Sequence, residues 1–149
     1  MHWRRAMVRA LFLFFAGVIF FSGCSGIKGP MPQTENCSEK LYAVSWSLKM
    51  IDNDEIALKN RPYIRFDKSG RMGGFGGCNS FFGDVSVTET AMEFFDLGST
   101  RKYCSGMEGE VERRFFSTLK GTKWWQFDEE GDLVIFDDEH RVVLSRSGK

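Results

Sequence analysis

Alternation of apolar and polar residues predicts short β-strands along most of the chain. Between residues 43 and 50, Val44, Trp46 and Leu48 alternate with serines and a lysine, and a period of two is that of a strand with one buried face. Segments rich in Asp, Gly and Ser separate the runs and predict turns. The other runs that we predict as strands are 63–66, 71–75, 82–87, 91–95, 123–128, 133–136 and 141–145.

The turn segments predict how these strands pair. A turn at 67–70 joins the second and third runs as a hairpin, because its Asp-Lys-Ser-Gly sequence is typical of tight turns. The runs 82–87 and 91–95 form a second pair. The last three runs form a meander with acidic turns at 128–132 and 137–140. Short connections of this kind favour antiparallel neighbours.

One segment has helical rather than strand periodicity. Ser105 and Glu108 match a capping box at its start, and Glu108, Glu110 and Glu112 suit the positive end of a helix dipole. Gly121 suits its C-terminus. Apolar side chains recur on one predicted face, at Val111, Phe115 and Leu119. The sequence therefore predicts an α+β, mainly β fold: a small twisted antiparallel sheet or cracked barrel with one packed helix.

The N-terminal segment predicts export. Arginines at the start precede an uncharged run at 10–21, which is too short for a bilayer core of roughly 30 Å. Phe21-Ser22-Gly23-Cys24 resembles the lipobox of bacterial lipoproteins, which implies lipidation of Cys24. An ordinary cleaved signal and an uncleaved anchor are the alternatives. By resemblance to lipoprotein sorting, Ser25 favours the outer membrane, so we expect a membrane-anchored protein that faces the periplasm.

These boundaries divide the chain into a signal peptide (1–23), a flexible tether (24–40) and a domain (41–146). Glycines, prolines and polar residues in the second segment indicate flexibility. Without the signal peptide, 17 basic and 20 acidic residues remain, a formal charge of −3. A mildly acidic chain lacks the basic face that nucleic-acid binding needs. An aromatic content of 15% over the whole chain indicates a packed core.

Three cysteines remain if Cys24 carries lipid, and an oxidising compartment favours their pairing. Cys37, Cys78 and Cys104 allow three different single bridges, with one thiol left over. We favour Cys78–Cys104, because both lie inside the predicted domain.

A metal site is not expected. The sequence has no Cys-x-x-Cys motif, and His2 and His140 do not have ligand spacing. Acidic clusters at 128–130 and 137–139 fall in predicted turns without the order of a calcium-binding loop. We read them as solvated turns, and we expect no cofactor.

A glycine-rich run at 70–83 and a later segment at 97–104 are the densest motifs of the domain. Together with Trp46 and Leu48 they resemble the META, or HslJ-like, domain family. The family motif falls on Gly77, Cys78, Asn79, Gly83, Thr100, Arg101 and Cys104. The resemblance implies a compact, mainly β domain that is often exported and lipid-linked. It also implies an association with heat-shock or antibiotic stress, no agreed enzymatic activity, and a suggested kinship to pilot lipoproteins of secretion systems.

The residues of this motif also have a physical interpretation. The glycines at 73–77 suit a bulge, a barrel corner or a close approach of backbones. Asn79 can satisfy backbone groups of a turn, and Thr100 can hydrogen-bond the same loop. The glycine spacing does not match a phosphate-binding loop. A catalytic Cys78 needs a base, and the one histidine after the signal peptide, His140, falls in an acidic turn.

Four aromatic doublets occur, of which Trp124-Trp125 is the last. Neighbours on a strand point to opposite faces, so each doublet needs either two apolar environments or an exposed ring. A barrel interior covered on the other side by a helix or tether is one interpretation. A surface patch for an acyl chain or apolar peptide, lined by Trp125 or Trp124, is the other.

From the sequence we expect a non-catalytic, lipid-anchored envelope protein that supports stress tolerance by binding a partner. The alternative is a pilot- or carrier-like protein that binds an apolar peptide or acyl chain in a groove. A hydrolase is less favoured, because no acid, base and nucleophile converge in the sequence. The expected partners are the membrane, through the lipid, and an envelope protein or apolar ligand.

Overall fold

One curled antiparallel sheet and one helix form the part of the chain that the computed structural model describes, residues 37–42 and 44–147. A 3₁₀ helix at Cys37–Leu41 precedes the sheet. The strands are β1 (Ser45–Ile51), β2 (Asp54–Glu55), β3 (Tyr63–Phe66), β4 (Arg71–Phe75), β5 (Ser80–Val87), β6 (Met92–Ser99), β7 (Trp124–Phe127), β8 (Leu133–Phe136) and β9 (Arg141–Arg146). Helix α1 (Gly106–Gly121) lies between β6 and β7 in sequence.

The strand order is β6-β5-β4-β3-β1-β9-β8-β7, and β2 pairs only with β1. Every named strand pair is antiparallel, and both predicted hairpins and the closing meander are present. The two outer strands meet at one end. There the Met92 N–H donates to the Lys123 carbonyl and the Trp125 N–H donates to the Thr90 carbonyl, both at 3.1 Å. Helix α1 packs against β6, β8 and β9. The predicted fold class is therefore confirmed, as a half-barrel with one packed helix.

The core fills the concave side of the curled sheet. Trp46 from β1 and Phe115 from α1 are fully buried, and the Phe115 ring contacts Phe81 of β5 edge to face at 5.9 Å. The indole N–H of Trp46 donates to the Leu41 carbonyl at 3.1 Å, which fixes the 3₁₀ helix to the core. The predicted apolar face of α1 is confirmed, since Val111, Phe115 and Leu119 are all buried.

The strands β3, β4 and β8 have the predicted bounds, whereas two elements were not predicted. Strand β2 is only two residues long and exposed, so it has no periodicity to detect. The 3₁₀ helix covers the last four residues of the predicted tether and Leu41, the first residue of the predicted domain. Leu41 enters the core as expected, and Glu39, in the predicted tether, pairs with Lys68 at 2.6 Å. Residues 1–36, with the predicted signal peptide, Cys24 and the rest of the tether, lie outside the described residues.

The predicted capping box at Ser105 is wrong. Ser105 is the N-cap residue, but its side chain makes no capping hydrogen bond. The next residue, Gly106, has a φ of +78°. This left-handed entry differs from the backbone geometry in which an N-cap hydroxyl reaches the first-turn amides.

Among residues 37–42 and 44–147, no helix has the length and apolar character needed to cross a membrane.

Phe115→Ala tests the contribution of α1 to the core. Phe115 is 0% exposed, so its removal leaves a cavity and is expected to reduce the free energy of unfolding by about 3–5 kcal/mol. Phe95→Ala is the matched control, because the Phe95 side chain is 46% exposed. Urea denaturation followed by tryptophan fluorescence measures both. Equal losses in the two variants would contradict the packing described here.

Candidate functional site

The structure brings the two halves of the family motif together around the side chain of Asn79. Its Oδ1 accepts hydrogen bonds from the Thr100 hydroxyl and from the Lys102 N–H, both at 2.8 Å. Its Nδ2 donates to the Lys102 carbonyl at 3.2 Å and to Glu112 Oε1 at 2.7 Å. A carboxamide has two donor hydrogens and two acceptor lone pairs. All four positions are therefore used, and the predicted roles of Asn79 and Thr100 in the loop are confirmed.

The carboxylate of Glu112 joins this loop to helix α1. Glu112 is 9% exposed. Its Oε2 accepts the backbone N–H of Cys78 at 3.1 Å and that of Asn79 at 2.5 Å. With the Asn79 side chain, three N–H groups thus surround one buried carboxylate. Such charge-assisted hydrogen bonds replace the water that the ion loses on burial.

Sequence reasoning missed this role, because it treated Glu112 only as a helix-dipole residue. The spacing of Glu112 relative to the apolar residues of α1 indicated a buried position. Residues 112, 115 and 119 follow the 3–4 period of the buried face of α1. A carboxylate on that face needs donors nearby. The backbone N–H groups that supply them belong to a loop more than thirty residues earlier, which periodicity cannot locate.

Glycines let the loop approach the helix. A Cβ at Gly76 would lie 2.8 Å from Glu112 Oε2 and 2.8 Å from Phe116 Cζ. Gly77 has a φ of +114°, a conformation that glycine adopts without strain. On the helix side, a Cβ at Gly109 would lie 2.2 Å from the Cys104 carbonyl oxygen. The close approach expected at the glycines of 73–77 is therefore confirmed at Gly76, where the neighbours are side chains of α1, whereas Gly109 was not predicted.

A disulfide between Cys78 and Cys104 closes the same assembly. The two Cα atoms are 6.2 Å apart, so the bridge links the Gly-Cys-Asn loop to the segment that enters α1. This is the pairing that the sequence favoured. Cys37 is partly buried and packs against the hydrophobic core.

The remaining family-motif residues lie outside this assembly. Gly83 is in β5, where a Cβ would lie 2.8 Å from the Phe95 carbonyl oxygen, so the glycine permits the close approach of β5 and β6. Arg101 is exposed on the segment before α1. The motif thus supplies one structural assembly, built by Gly77, Cys78, Asn79, Thr100 and Cys104, and two separate positions.

The aromatic doublets divide between the core and the outside. Trp125 is 4% exposed, and its indole N–H donates to the Thr88 carbonyl at 2.9 Å. The hypothesis that Trp125 lines a surface patch is therefore wrong, because β7 turns this side chain into the core. Trp124 is 38% exposed, and its ring centroid lies 5.8 Å from that of Phe136. The interpretation in which one ring of the doublet is exposed therefore applies to Trp124.

A shallow depression lies on the outer face of β3 and β4. It has a volume of about 490 Å³ and is lined by Tyr63, Arg65, Phe66, Asp67, Arg71, Met72, Gly73 and Gly74. A second depression, of about 320 Å³, shares Arg65 and Phe66 with it. Both are open to solvent. Next to them, Phe82 is 61% exposed.

Three carboxylates come together in the turn between β7 and β8, at Asp128, Glu130 and Asp132. Lys49 Nζ lies 2.8 Å from both Asp132 Oδ2 and Glu130 Oε2. The hydrogen bond to Asp132, which has the larger effect, and the one to Glu130 both raise the pKa of Lys49, so its ammonium group stays charged. Asp128 Oδ1 accepts the N–H groups of Glu130 and Asp132. The Lys49 ammonium and backbone N–H groups thus already bind these carboxylates.

The groups with catalytic potential in the motif are engaged with one another. Both thiols of the motif are oxidised, the Thr100 hydroxyl donates to Asn79, and Glu112 is occupied by N–H donors. His140 lies in the turn between β8 and β9, with Nδ1 3.7 Å from Asp52 Oδ1. Across the described part of the chain, every buried side-chain nitrogen or oxygen has a hydrogen-bond partner. The arrangement is suited to holding a fixed shape.

Comparison with known proteins gives a family and a fold. The profile of the META domain matches residues 39–149. The chain is similar to an NMR structure of a protein from Burkholderia xenovorans, with a TM-score of 0.60, 20% identity, and coverage of 84% of this chain and 96% of the other. A second NMR structure gives a TM-score of 0.58 at 21% identity, covering 72% and 92%. At these identities the likeness concerns the fold alone. No curated protein gives a significant match.

Glu112→Gln tests the carboxylate assembly. The amide that replaces the carboxylate can turn only one acceptor oxygen toward three N–H groups, so we expect a loss of about 2–3 kcal/mol in the free energy of unfolding. Glu110→Gln, on the exposed side of the same helix, controls for the charge change and should stay within about 0.5 kcal/mol. Urea denaturation of both variants decides. Indistinguishable midpoints would refute a special role for Glu112.

The double variant Cys78→Ser/Cys104→Ser tests the disulfide. The bridge closes a loop with a sequence separation of 26. Removing that constraint from the unfolded chain is expected to cost about 3–4 kcal/mol. Urea denaturation gives the loss, and mass spectrometry after alkylation without reductant should leave both wild-type cysteines unlabelled. Labelling of both residues in the folded wild type would rule out the bridge.

Proposed function

The chain belongs to the META domain family, and on this premise we propose that it is a non-catalytic, lipid-anchored protein of the cell envelope that acts by binding a partner. The observation that carries the proposal is that the hydrogen-bonding groups and thiols of the motif assembly already have partners within the protein. Cys78, Asn79, Thr100 and Glu112 hydrogen-bond or bridge one another and residues beside them. A site that reacts with substrate keeps at least one such group available. The family motif therefore serves the shape of the domain, and binding falls to its surface.

Two features support a location outside the cytoplasm. The Cys78–Cys104 disulfide fits an oxidising compartment. The N-terminal segment has the order of a secretory signal and ends in Phe21-Ser22-Gly23-Cys24. By resemblance to lipoprotein sorting, Ser25, next to the proposed lipid attachment site, favours the outer membrane. We therefore propose attachment through Cys24, with the domain facing the periplasm.

The proposed anchor limits how far the domain can move from the membrane. Twelve residues lie between Cys24 and Cys37, where the 3₁₀ helix begins, so the connection has thirteen residue-to-residue steps. A fully extended chain spans at most about 3.5 Å per residue, so the domain stays within roughly 45 Å of the lipid. Glu39 and Lys68 pair at 2.6 Å, so the chain leaves the domain beside the turn between β3 and β4. A partner would therefore lie in or near the same membrane, which is consistent with a role in envelope stress tolerance.

The pilot- or carrier-like alternative requires a groove for an acyl chain or an apolar peptide. The concave side of the sheet is filled by buried side chains, including Trp46, Phe115 and Leu119. An acyl chain inside the half-barrel would have to displace them. Phe82 and Phe95 are exposed on the outside, so any apolar ligand would bind there. This packing favours the partner-binding proposal.

Cys24→Ser tests the anchor. We expect the wild-type protein in the membrane fraction of its host, with an acyl mass on an N-terminal Cys24. We expect the variant in the soluble periplasmic fraction, because the serine at position 24 cannot take the place of the cysteine thiol in lipidation. Cross-linking of the wild-type protein in its own membrane should yield a defined partner that the variant captures less well. An intact Met1, or a Cys24 thiol that is free or disulfide-linked, would contradict lipid anchoring.

A further inference from the structure

We propose that the depression over Gly73, on the outer face of the sheet, binds a glycan: a pyranose ring stacks on Phe82, and its hydroxyls bond the polar side chains around it. The proposal rests on the proposed function in one respect only, that the domain acts by binding. Glycan binding at this site does not depend on lipid attachment.

The register of the strands builds this depression. Gly73 of β4 lies directly opposite Arg65 of β3 on one side and Phe82 of β5 on the other. Directly opposite residues of an antiparallel pair share a face. Because Gly73 has no side chain, a gap remains between Arg65 and Phe82. Arg71, two residues before Gly73, lies on the same face and borders the gap. Arg65, Arg71 and Gly73 are among the residues that line the open depression of about 490 Å³. Phe82 lies beside this depression, on the next strand.

Phe82 has the form of a stacking platform. The residue opposite it on β6 is Gly98. A Cβ at Gly98 would lie 2.7 Å from Phe82 Cζ, 3.0 Å from Cε2 and 3.3 Å from Cε1. Three ring atoms therefore lie over the glycine backbone, and the ring leans on the sheet. With 61% of the residue exposed, the other face of the ring meets solvent. A flat apolar face at the surface matches the C–H face of a sugar ring.

The walls of the depression offer both donors and acceptors. Arg65 is held over the Tyr63 ring, with its guanidinium carbon 5.2 Å from the ring centroid. Asp84 lies opposite Arg71 on β5, and Asp67 borders the depression. Two arginines and two aspartates thus lie in or beside this depression, and Asp67 Oδ1 already accepts the backbone N–H groups of Ser69 and Arg71. This balance of charge favours a neutral ligand, and planar donors beside carboxylate acceptors match hydroxyls, which both donate and accept.

Strand pairing argues against a peptide added to the sheet at this site. Strands β4 and β5 are interior strands of the sheet, each paired on both sides. Their backbone N–H and C=O groups are thus committed to neighbouring strands, so a peptide cannot bind here by strand addition, which needs an exposed sheet edge. Charged side chains and open walls also do not suit an acyl chain, which needs an apolar enclosure. A glycan, recognised by stacking and by side-chain hydrogen bonds, fits the observed surface.

The experiment titrates the ¹⁵N-labelled chain, residues 24–149 with Cys24→Ser, with chitopentaose, a neutral β-linked pyranose oligomer. Amide shifts at Gly73, Phe82 and Gly98 are expected to change and to saturate. Phe82→Ala should weaken binding roughly tenfold. Gly98→Ala keeps Phe82 but displaces its ring, and it should weaken binding as well. Arg71→Gln should weaken it several-fold. Amide spectra of each variant verify that the fold is intact.

Matched controls keep the result specific. Trp124→Ala removes another exposed aromatic residue, and Arg113→Gln removes an exposed cation of α1; both should bind like the parent chain. Polyglutamate and oleate serve as probes for acidic-chain and acyl-chain binding. The proposal is overturned if chitopentaose causes no saturable shifts, if the shifts map elsewhere, or if polyglutamate or oleate binds these residues in its place. Because no lipid is present, this outcome is independent of the Cys24→Ser fractionation.

Discussion

A buried carboxylate surrounded by N–H groups fixes how helix α1 sits against the Gly-Cys-Asn loop. Burial removes the Glu112 carboxylate from water. Three hydrogen bonds compensate for this loss, from the backbone N–H groups of Cys78 and Asn79 and from the Asn79 side chain. An unpaired charge at this depth would cost several kcal/mol. The helix and the Gly-Cys-Asn loop therefore have to sit in one relative position. Gly76 and Gly109 leave the space that this position requires.

The other elements follow from that position. With α1 fixed to the loop, its apolar residues Phe115 and Leu119 fill the concave side of the sheet. The two outer strands, β6 and β7, then meet at one end only. The Cys78–Cys104 bridge adds a covalent constraint at the same place. These residues hydrogen-bond or bridge one another and so hold the curled sheet in shape.

The period of two in β1 and β3 was sufficient to predict these strands, because each has one face more buried than the other. Strand β8 was predictable as a short apolar run between turns, and β4 as the hairpin partner of β3. The buried face of α1 was predictable from the period of its apolar residues. The position of Glu112 was not, since its partners come from a distant loop. Which ring of Trp124-Trp125 faces inward also could not be predicted, because both are apolar and only the register of β7 against β8 decides it. The Ser105 capping box failed because Gly106 turns the backbone before the first turn of the helix.

Native-state hydrogen exchange at the backbone amides of Cys78 and Asn79 measures whether the Glu112 carboxylate holds the loop. Both N–H groups lie in the loop between β4 and β5, and both donate to the Glu112 carboxylate. If that carboxylate holds the loop, these amides exchange only through global unfolding, at the rate of the core amide of Phe115. Exchange as fast as that of the exposed turn residues Glu129 and Gly131 would show that the carboxylate does not hold the loop.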